Sequence, residues 1–303
     1  MDELRLPEGL TARPLTMADA RAVYEVMARQ EQEDVGTVEI EEADIVGDWQ
    51  KPSFDVAEST MGVFDGDRLV AYAEVNRSGR GDAAVDPAYR RRGIGTALAA
   101  WMPARTGRIG GTVIGSPVPQ GSPGDRLLES LGWQVRWTSW VLRLPEGAQI
   151  PQRPLPDGYA IRSAGEDDHP AVHAVKEDAF LEWSERDRES LEDFLAGSVR
   201  RPGFEPWHLR VVTDDAGEIV GTALVQMYGE PVEEAFVSFL AVRRDQRGQG
   251  LAQALLVDAF ARGREHGAAR SGLSTDSRTG ALGLYEKVGM EVVAVWLNRG
   301  IAV

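Results

Sequence analysis

A chain of 303 residues is about twice a common domain length, and 43% hydrophobic content is enough for two buried cores. It carries 33 Lys plus Arg against 48 Asp plus Glu, shared evenly as 16 against 23 up to residue 150 and 17 against 25 beyond it. Such a field repels nucleic acid and anionic membrane and draws in cationic, amine-bearing ligands. The absence of cysteine excludes a disulfide framework and a thiolate metal site.

The N-terminus, Met-Asp-Glu-Leu-Arg, lacks the basic-then-apolar order of a signal peptide, and no apolar run approaches about 18 residues. The expectation is a cytoplasmic protein, monomer or homodimer, with no nucleic-acid or membrane partner. Taken in chain order, Gly9 to Asp19 reads as a strand ending in a polar cap before an amphipathic helix. Gly66 to Ala71 is the turn and apolar second arm of a hairpin, and Ala83 to Val85 is a short strand. A glycine-rich loop, Tyr89 to Gly95, opens a helix that Pro103 should end or kink near Met102. A strand at Thr112 to Ile114 and a helix from Asp125 to Leu131, stopped by Gly132, follow.

Leu144 to Gly158 then holds Pro145, Pro151, Pro154 and Pro156 with little apolar periodicity, the mark of a stiff linker. Beyond it the same series returns. Gly158 to Asp168 matches Gly9 to Asp19, Arg201-Pro-Gly-Phe204 matches Lys51-Pro-Ser-Phe54, and Gly217 to Gly221 repeats the hairpin. The strand Ala235 to Val242 leads to a second loop, Gln246 to Ala252, whose Arg247 lies 247 − 90 = 157 residues after Arg90. Its helix runs from about Gly250 to His266, followed by a strand at Arg270 to Ser274 and a helix from Thr279 to Val288, stopped by Gly289. The repeat predicts two domains, residues 1–144 and 158–303, joined by a linker over 145–157. Each is an α/β unit with a mixed sheet.

Loops of this kind bind diphosphates, through unhindered amides, the positive end of a helix dipole and a nearby arginine. A glycine pair opening a helix also serves as a plain tight turn. The nucleotide triphosphate loop is excluded because neither copy has Gly-Lys-Ser/Thr. The dinucleotide fingerprint is excluded by Gln253 and Leu98, where a third glycine or alanine is required.

What remains, Arg-x-x-Gly-x-Gly/Ala after an apolar strand, resembles the GNAT superfamily of acyl-CoA-dependent N-acyltransferases. Arg90-x-x-Gly93-x-Gly95 and Arg247-x-x-Gly250-x-Ala252 both fit, as does Ala281-x-x-Leu284-Tyr285-Glu286-Lys287-x-Gly289-Met290, which is similar to the family's later helix with its tyrosine. The resemblance covers both halves almost end to end. It implies tandem domains, each a mixed, mostly antiparallel six- to seven-stranded sheet flanked by helices. It also implies acetyl-CoA as co-substrate, no metal, and direct attack on the thioester by an amine of a small molecule. The loop amides would bind the CoA pyrophosphate, with Arg247, Gly248, Gln249, Gly250, Leu251 and Ala252 in the second half. The first-half counterparts are Arg90, Arg91, Arg92, Gly93, Ile94 and Gly95, after Val85 on the preceding strand. Pantetheine would lie between the strand bearing Leu240, Ala241 and Val242 and the segment Leu273 to Thr275.

In the family the tyrosine, here Tyr285, protonates the departing thiolate, a task suited to a phenol that stays protonated at neutral pH. Residue 285 − 157 = 128 is leucine, so the first half is expected to be degenerate, although its loop still suits a CoA. Arg278 stands where the family often has asparagine and is expected to pair with a CoA phosphate. The family's glutamate base would fall at Phe236. Glu234, on the same face, is the nearest substitute, with Glu177, Asp178 and Glu182 as others. Acidic segments with Trp49, Trp183 and Trp207 nearby suit a protonated amine, though a solvated helix face also explains them. His169 and His173 share a helix face without a third metal ligand. Tandem members of the family include mycothiol synthase and drug-modifying enzymes. A mycothiol synthase, an aminoglycoside-type acetyltransferase and a non-catalytic acyl-CoA sensor are the alternatives left open.

Overall fold

A computed structural model describes residues 4–151, 154–229 and 233–303. Its contacts divide the chain into a first unit, Met1–Thr138 with Val295–Val303, and a second, Ser139–Ala294.

The first unit begins with β1 (Leu10–Arg13), α1 (Ala20–Asp34), α2 (Glu42–Trp49), α3 (Val56–Ser59), β2 (Thr60–Asp65), β3 (Arg68–Val75) and β4 (Gly81–Val85). The four strands pair antiparallel in sequence order. Then come α4 (Ile94–Arg108), β5 (Val113–Pro119), α5 (Pro123–Ser130) and β6 (Gln134–Arg143), whose second half lies in the second unit. There, β7 (Ala160–Ser163), α6 (His169–Phe180), α7 (Leu191–Gly197), β8 (Leu209–Thr213), β9 (Ile219–Tyr228) and β10 (Glu234–Val242) repeat the opening series. The repeat closes with α8 (Leu251–Glu265), β11 (Arg270–Asp276), α9 (Leu282–Lys287) and β12 (Glu291–Ala302). The sheet of the second unit runs β6-β11-β10-β9-β8-β7, with only β10 and β11 parallel.

Two strand segments depart from the sequence division. Ser139 to Arg143 of β6 pair with Asp276 to Gly272 of β11, and Leu142 is fully buried in the core of the second unit. Trp296 to Ala302 of β12 pair with β5 in the first unit. Arg299 secures that strand through Asp125 on α5 (2.5 Å) and the carbonyl of Trp133 (3.1 Å). The segment after β6 has no regular element up to β7 in its described residues, and it is docked: Ile150 is buried, and Gln253 donates to the Pro151 carbonyl (2.6 Å).

In each unit one core forms between the sheet and a loop helix, and another under the first long helix, α1 or α6. On α8, Leu251, Leu255, Leu256, Ala259 and Phe260 are buried, and Gly267 (φ 100°) ends the helix in a left-handed conformation. On α4 the matching face is Ile94, Leu98, Ala99, Trp101 and Met102. Of the two outcomes expected at Pro103, an end to α4 does not occur: both loop helices have 15 residues. The proline removes one amide donor, but Met102 and Thr106 on either side are held in the core, and the Thr106 hydroxyl donates to the Met102 carbonyl (2.8 Å). Among the described residues, no helix is long and apolar enough to cross a membrane.

Candidate active site

In the second unit, β10 and β11 pair from Glu234↔Arg270 to Val237↔Leu273 and then part. A bulge between Val237 and Phe239 in the pairing with β9 turns β10 away. Beyond it, Phe239 to Val242 pair only with β9, and Ser274 to Asp276 only with β6. The facing edges therefore carry backbone groups with no ladder partner, beside the segments expected to flank a pantetheine arm.

The loop lies at the far end of β10. Gly248 (φ 79°) and Gly250 (φ 88°) take left-handed conformations that turn successive amides inward, and Gly250 caps α8. The first helical bond is Ala254 to the Gly250 carbonyl, so the amides from Gly248 to Gln253 donate to nothing among the described residues. The Tyr159 hydroxyl braces the loop from β7's side through Gln246 Oε1 (2.5 Å). Arg247 does not face the amides: its Nη atoms donate to the Glu182 carboxylate (2.9 and 2.8 Å) and its Nε to the Val242 carbonyl (3.0 Å). Arg278 is bound to Asp276 (2.6 Å) and lies over the Trp183 ring at 4.8 Å.

Tyr285 sits on α9, buried in the core cluster that includes Val242, Leu251 and Leu273, and its hydroxyl has no hydrogen-bond partner among the described residues. Burial pushes its pKa above the usual phenol value, so the proton stays on oxygen at neutral pH.

Glu234 is buried beside Gly272, where a Cβ would collide with its carboxylate. Arg143, delivered by β6, clamps it through Nε (2.9 Å) and Nη2 (2.9 Å). The other carboxylates offered by the sequence are paired too. Burial acts upward on Glu177, but Arg186 (2.7 and 2.8 Å), the Glu189 amide (2.9 Å) and Lys176 (3.3 Å) outweigh it and hold the pKa at about 2. Asp178 pairs with Arg188, and Glu182 with Arg247. His173 is engaged by the Glu189 carbonyl (2.8 Å).

The first unit repeats the geometry with different contents. A single bridge, Arg80↔Gly115, joins β4 to β5 before the two strands part. Between them and the loop lies a cavity of about 750 Å³, lined by Val85, Arg90, Arg91, Gly93, Ile94 and Gly95, with Leu128 at its wall. Arg90 is tied to Asp34 through both Nη atoms (2.8 Å each), and Arg92 stacks on the Tyr89 ring at 4.7 Å. Arg91 takes the left-handed place of Gly248, at φ 64°.

Nearby, Glu74 and Asp82 face each other across β3 and β4, and the Trp49 indole donates to Glu74 (2.8 Å). Burial, then Asp82 and Asp48, pushes the Glu74 pKa to about 8. Burial, with Glu39 and Asp82 adding, lifts Glu31 to about 7 against two backbone donors, and burial raises Asp82 as well. The acidic segment from Glu31 to Asp48 and Trp49 were visible in the sequence, but their strand partners Glu74 and Asp82 and the arginine clamps were not. The clamps had one visible trace, an acidic residue closing the first long helical segment in each half, Asp34 and Glu182.

Comparison with known proteins bears on these features. The model of the Acetyltransferase (GNAT) family matches residues 20–115 and again 170–290. The chain is 34% identical over 221 residues to a mycothiol acetyltransferase of Salinispora arenicola, covering 69% of this chain and 68% of that protein. It is 33% identical over 239 residues to the Salinispora tropica protein of the same name, covering 73% and 74%. Among solved structures it resembles a GCN5-related N-acetyltransferase from Sphaerobacter thermophilus, at 25% identity and TM-score 0.75 over 98% of this chain and 96% of that one. It shares the fold of a tandem GNAT protein from the clavulanic acid biosynthesis pathway, at 18% identity and TM-score 0.72 over 97% and 98%. Two matched regions, two loops with free amides and two pairs of parting strands have one account: the chain belongs to the GNAT acetyltransferase family, as an acyltransferase of tandem type that uses acyl-CoA as co-substrate.

Proposed function

We propose that the second unit transfers an acetyl group from acetyl-CoA to a primary amine of a small molecule. The observation that carries this reading is Tyr285, a buried phenol without a hydrogen-bond partner among the described residues, on the helix that follows the parted strands. The free amides from Gly248 to Gln253, at the helix entry, bind the diphosphate. Backbone groups along Phe239 to Val242 hold the pantetheine amides, and one donor there stabilises the thioester oxygen as it gains charge. The amine nitrogen attacks the thioester carbon. The C–S bond breaks, the thiolate takes the Tyr285 proton, and the proton of the new ammonium leaves through water to Glu234. The Arg143 clamp holds that carboxylate in one orientation. In the first unit Leu128 has no proton to give, so it binds an acyl-CoA without turnover.

The names of the relatives favour a second reading, in which the acceptor is of the mycothiol type. A screen of amines for thiol release decides between them. The chain has no cysteine, so it adds no thiol of its own to the signal. Release with some amine, lost in Tyr285→Phe, is expected. Binding of acetyl-CoA with no release for any amine would leave a sensor and no enzyme.

A further inference from the structure

The turn after α6 is fastened at both ends of the gap between β10 and β11. Glu182 and Trp183 are consecutive residues. Glu182 is held by Arg247, whose Nε is anchored on the carbonyl of Val242, the last residue of β10. Trp183 lies under Arg278, which is bound through Nε (3.1 Å) and Nη2 (2.6 Å) to Asp276, the last residue of β11. The turn thus runs from one strand end to the other, across the mouth through which a chain held at the Gly248 to Gln253 amides must enter. The Phe180 ring, 5.1 Å from Trp183, stiffens it. Beyond it, Arg186 and Glu189 lead back to Glu177 on α6.

Both fasteners use an arginine bound to a carboxylate, and Arg247 belongs to the loop whose amides from Gly248 to Gln253 have no partner among the described residues. Partly exposed ion pairs of this kind are weak. A diphosphate carries more charge than a carboxylate and matches the guanidinium fork equally well. The first unit has one fastener, Arg90 on Asp34, while Gly121 stands at the position of Arg278 (278 − 157 = 121), and a cavity of about 750 Å³ lies beside its loop.

We propose that the turn Leu181 to Trp183 is a latch over the cofactor gap of the second unit, released when the diphosphate of an acyl-CoA draws Arg247 from Glu182 and Arg278 from Asp276 and Trp183. The latch rests on the assignment of that gap to acyl-CoA. Its function is to keep the entry shut until a ligand with the right anionic head arrives, and to pass that arrival to α6 through the segment from Arg186 to Glu189.

Hydrogen–deuterium exchange on the full chain, with free CoA as the probe, tests it. CoA is expected to protect the amides from Gly248 to Gln253. It is also expected to speed exchange at least fivefold at Leu181 and Ser184, whose amides bond to the Glu177 and Phe180 carbonyls. Glu182→Gln and Trp183→Leu should each loosen the turn without ligand and tighten CoA binding at the protected site at least threefold. Protection at Gly248 to Gln253 with an unmoved turn, or variants that bind CoA no better, would overturn the latch and leave the site assignment standing. No protection at those amides would remove the assignment and the latch with it.

Discussion

In the first unit the loop opens on a cavity of about 750 Å³, and three carboxylates behind it, Glu31, Glu74 and Asp82, lack enough countercharge to stay readily ionised. In the second, the carboxylates around the loop and gap are each clamped by an arginine, and a phenol stands where the first has Leu128. Duplication has kept the backbone devices in both copies: a strand that parts from its neighbour, free amides at a helix start, and an arginine tied back to the first helical segment. What diverged is where charge and protons sit. The backbone scaffold tolerates almost any side chain that does not fill the gap, whereas proton transfer depends on single groups.

The largest effect expected from breaking this contrast is kinetic. Tyr285→Phe keeps the ring and removes only the donor, so thiol release should fall by about 10²-fold or more with little change in the KM for acetyl-CoA. Leu128→Phe in the first unit should leave turnover unchanged. A comparable loss from Leu128→Phe would mean that the reaction takes place in the first unit.

The next effect is on stability. Arg143→Met leaves Glu234 buried without its cation. Removing one partner of a buried pair costs about 3 kcal/mol or more, which a urea melt of the second unit resolves. The double variant Arg143→Met with Glu234→Leu should recover most of that loss, because the stranded charge is then gone. A double variant as unstable as the single one would show that Arg143 acts through packing.

The third contrast is in pH. A carboxyl whose folded pKa lies above its unfolded value binds more protons when folded, so its contribution is present at low pH and lost as pH rises. For Glu74 the window runs from the ordinary 4.5 to about 8, and for Glu31 from 4.5 to about 7. Glu177 has the opposite sign: its contribution is complete above 4.5 and lost as pH falls through about 2. Asp19 in the first unit, bound by Arg13, behaves like Glu177, so acid weakens both units. Alkali separates them. Between pH 6 and pH 9 the first unit should lose on the order of 4 kcal/mol, about two thirds of it through Glu74. Glu74→Gln should remove much of that slope, as read by pulse proteolysis with the fragments assigned to each unit. An equal alkaline slope in the second unit would sink this assignment.

Much of this scaffold was legible in the sequence because duplication writes every local device twice. Arg13 with Asp19 and Arg162 with Asp168 align as polar caps, and in the structure each pair is the same ion pair. The loop glycines could be read because only a left-handed turn needs them at that spacing. The exchanged strand segments could not. A strand of ten or twelve residues has the same alternation whichever sheet takes its second half, and Pro145 after β6 only marks where it stops. That α4 runs on past Pro103 was not legible either, because the rule concerns one lost bond, while the packing of Met102 and Thr106 decides whether the helix ends. The Glu234 clamp joins residues 91 positions apart, a distance at which local spacing carries no information.

The smallest effect isolates the loop itself. Arg91 holds φ 64° where its counterpart Gly248 holds φ 79°. A residue with a Cβ costs about 1 to 2 kcal/mol in that conformation. Glycine avoids this cost but gives back roughly 0.5 to 1 kcal/mol through the greater freedom of its unfolded chain. Arg91→Gly should therefore stabilise the first unit by only about 0.5 kcal/mol, and Gly248→Arg should weaken the second by a similar amount, both measurable in paired urea melts. Arg91 also lines the cavity, so Arg91→Gly should weaken CoA binding to the first unit even as it steadies the fold. If CoA bound the variant as well as the parent, the cation would have no part in the site, and the strained backbone there would have no functional account.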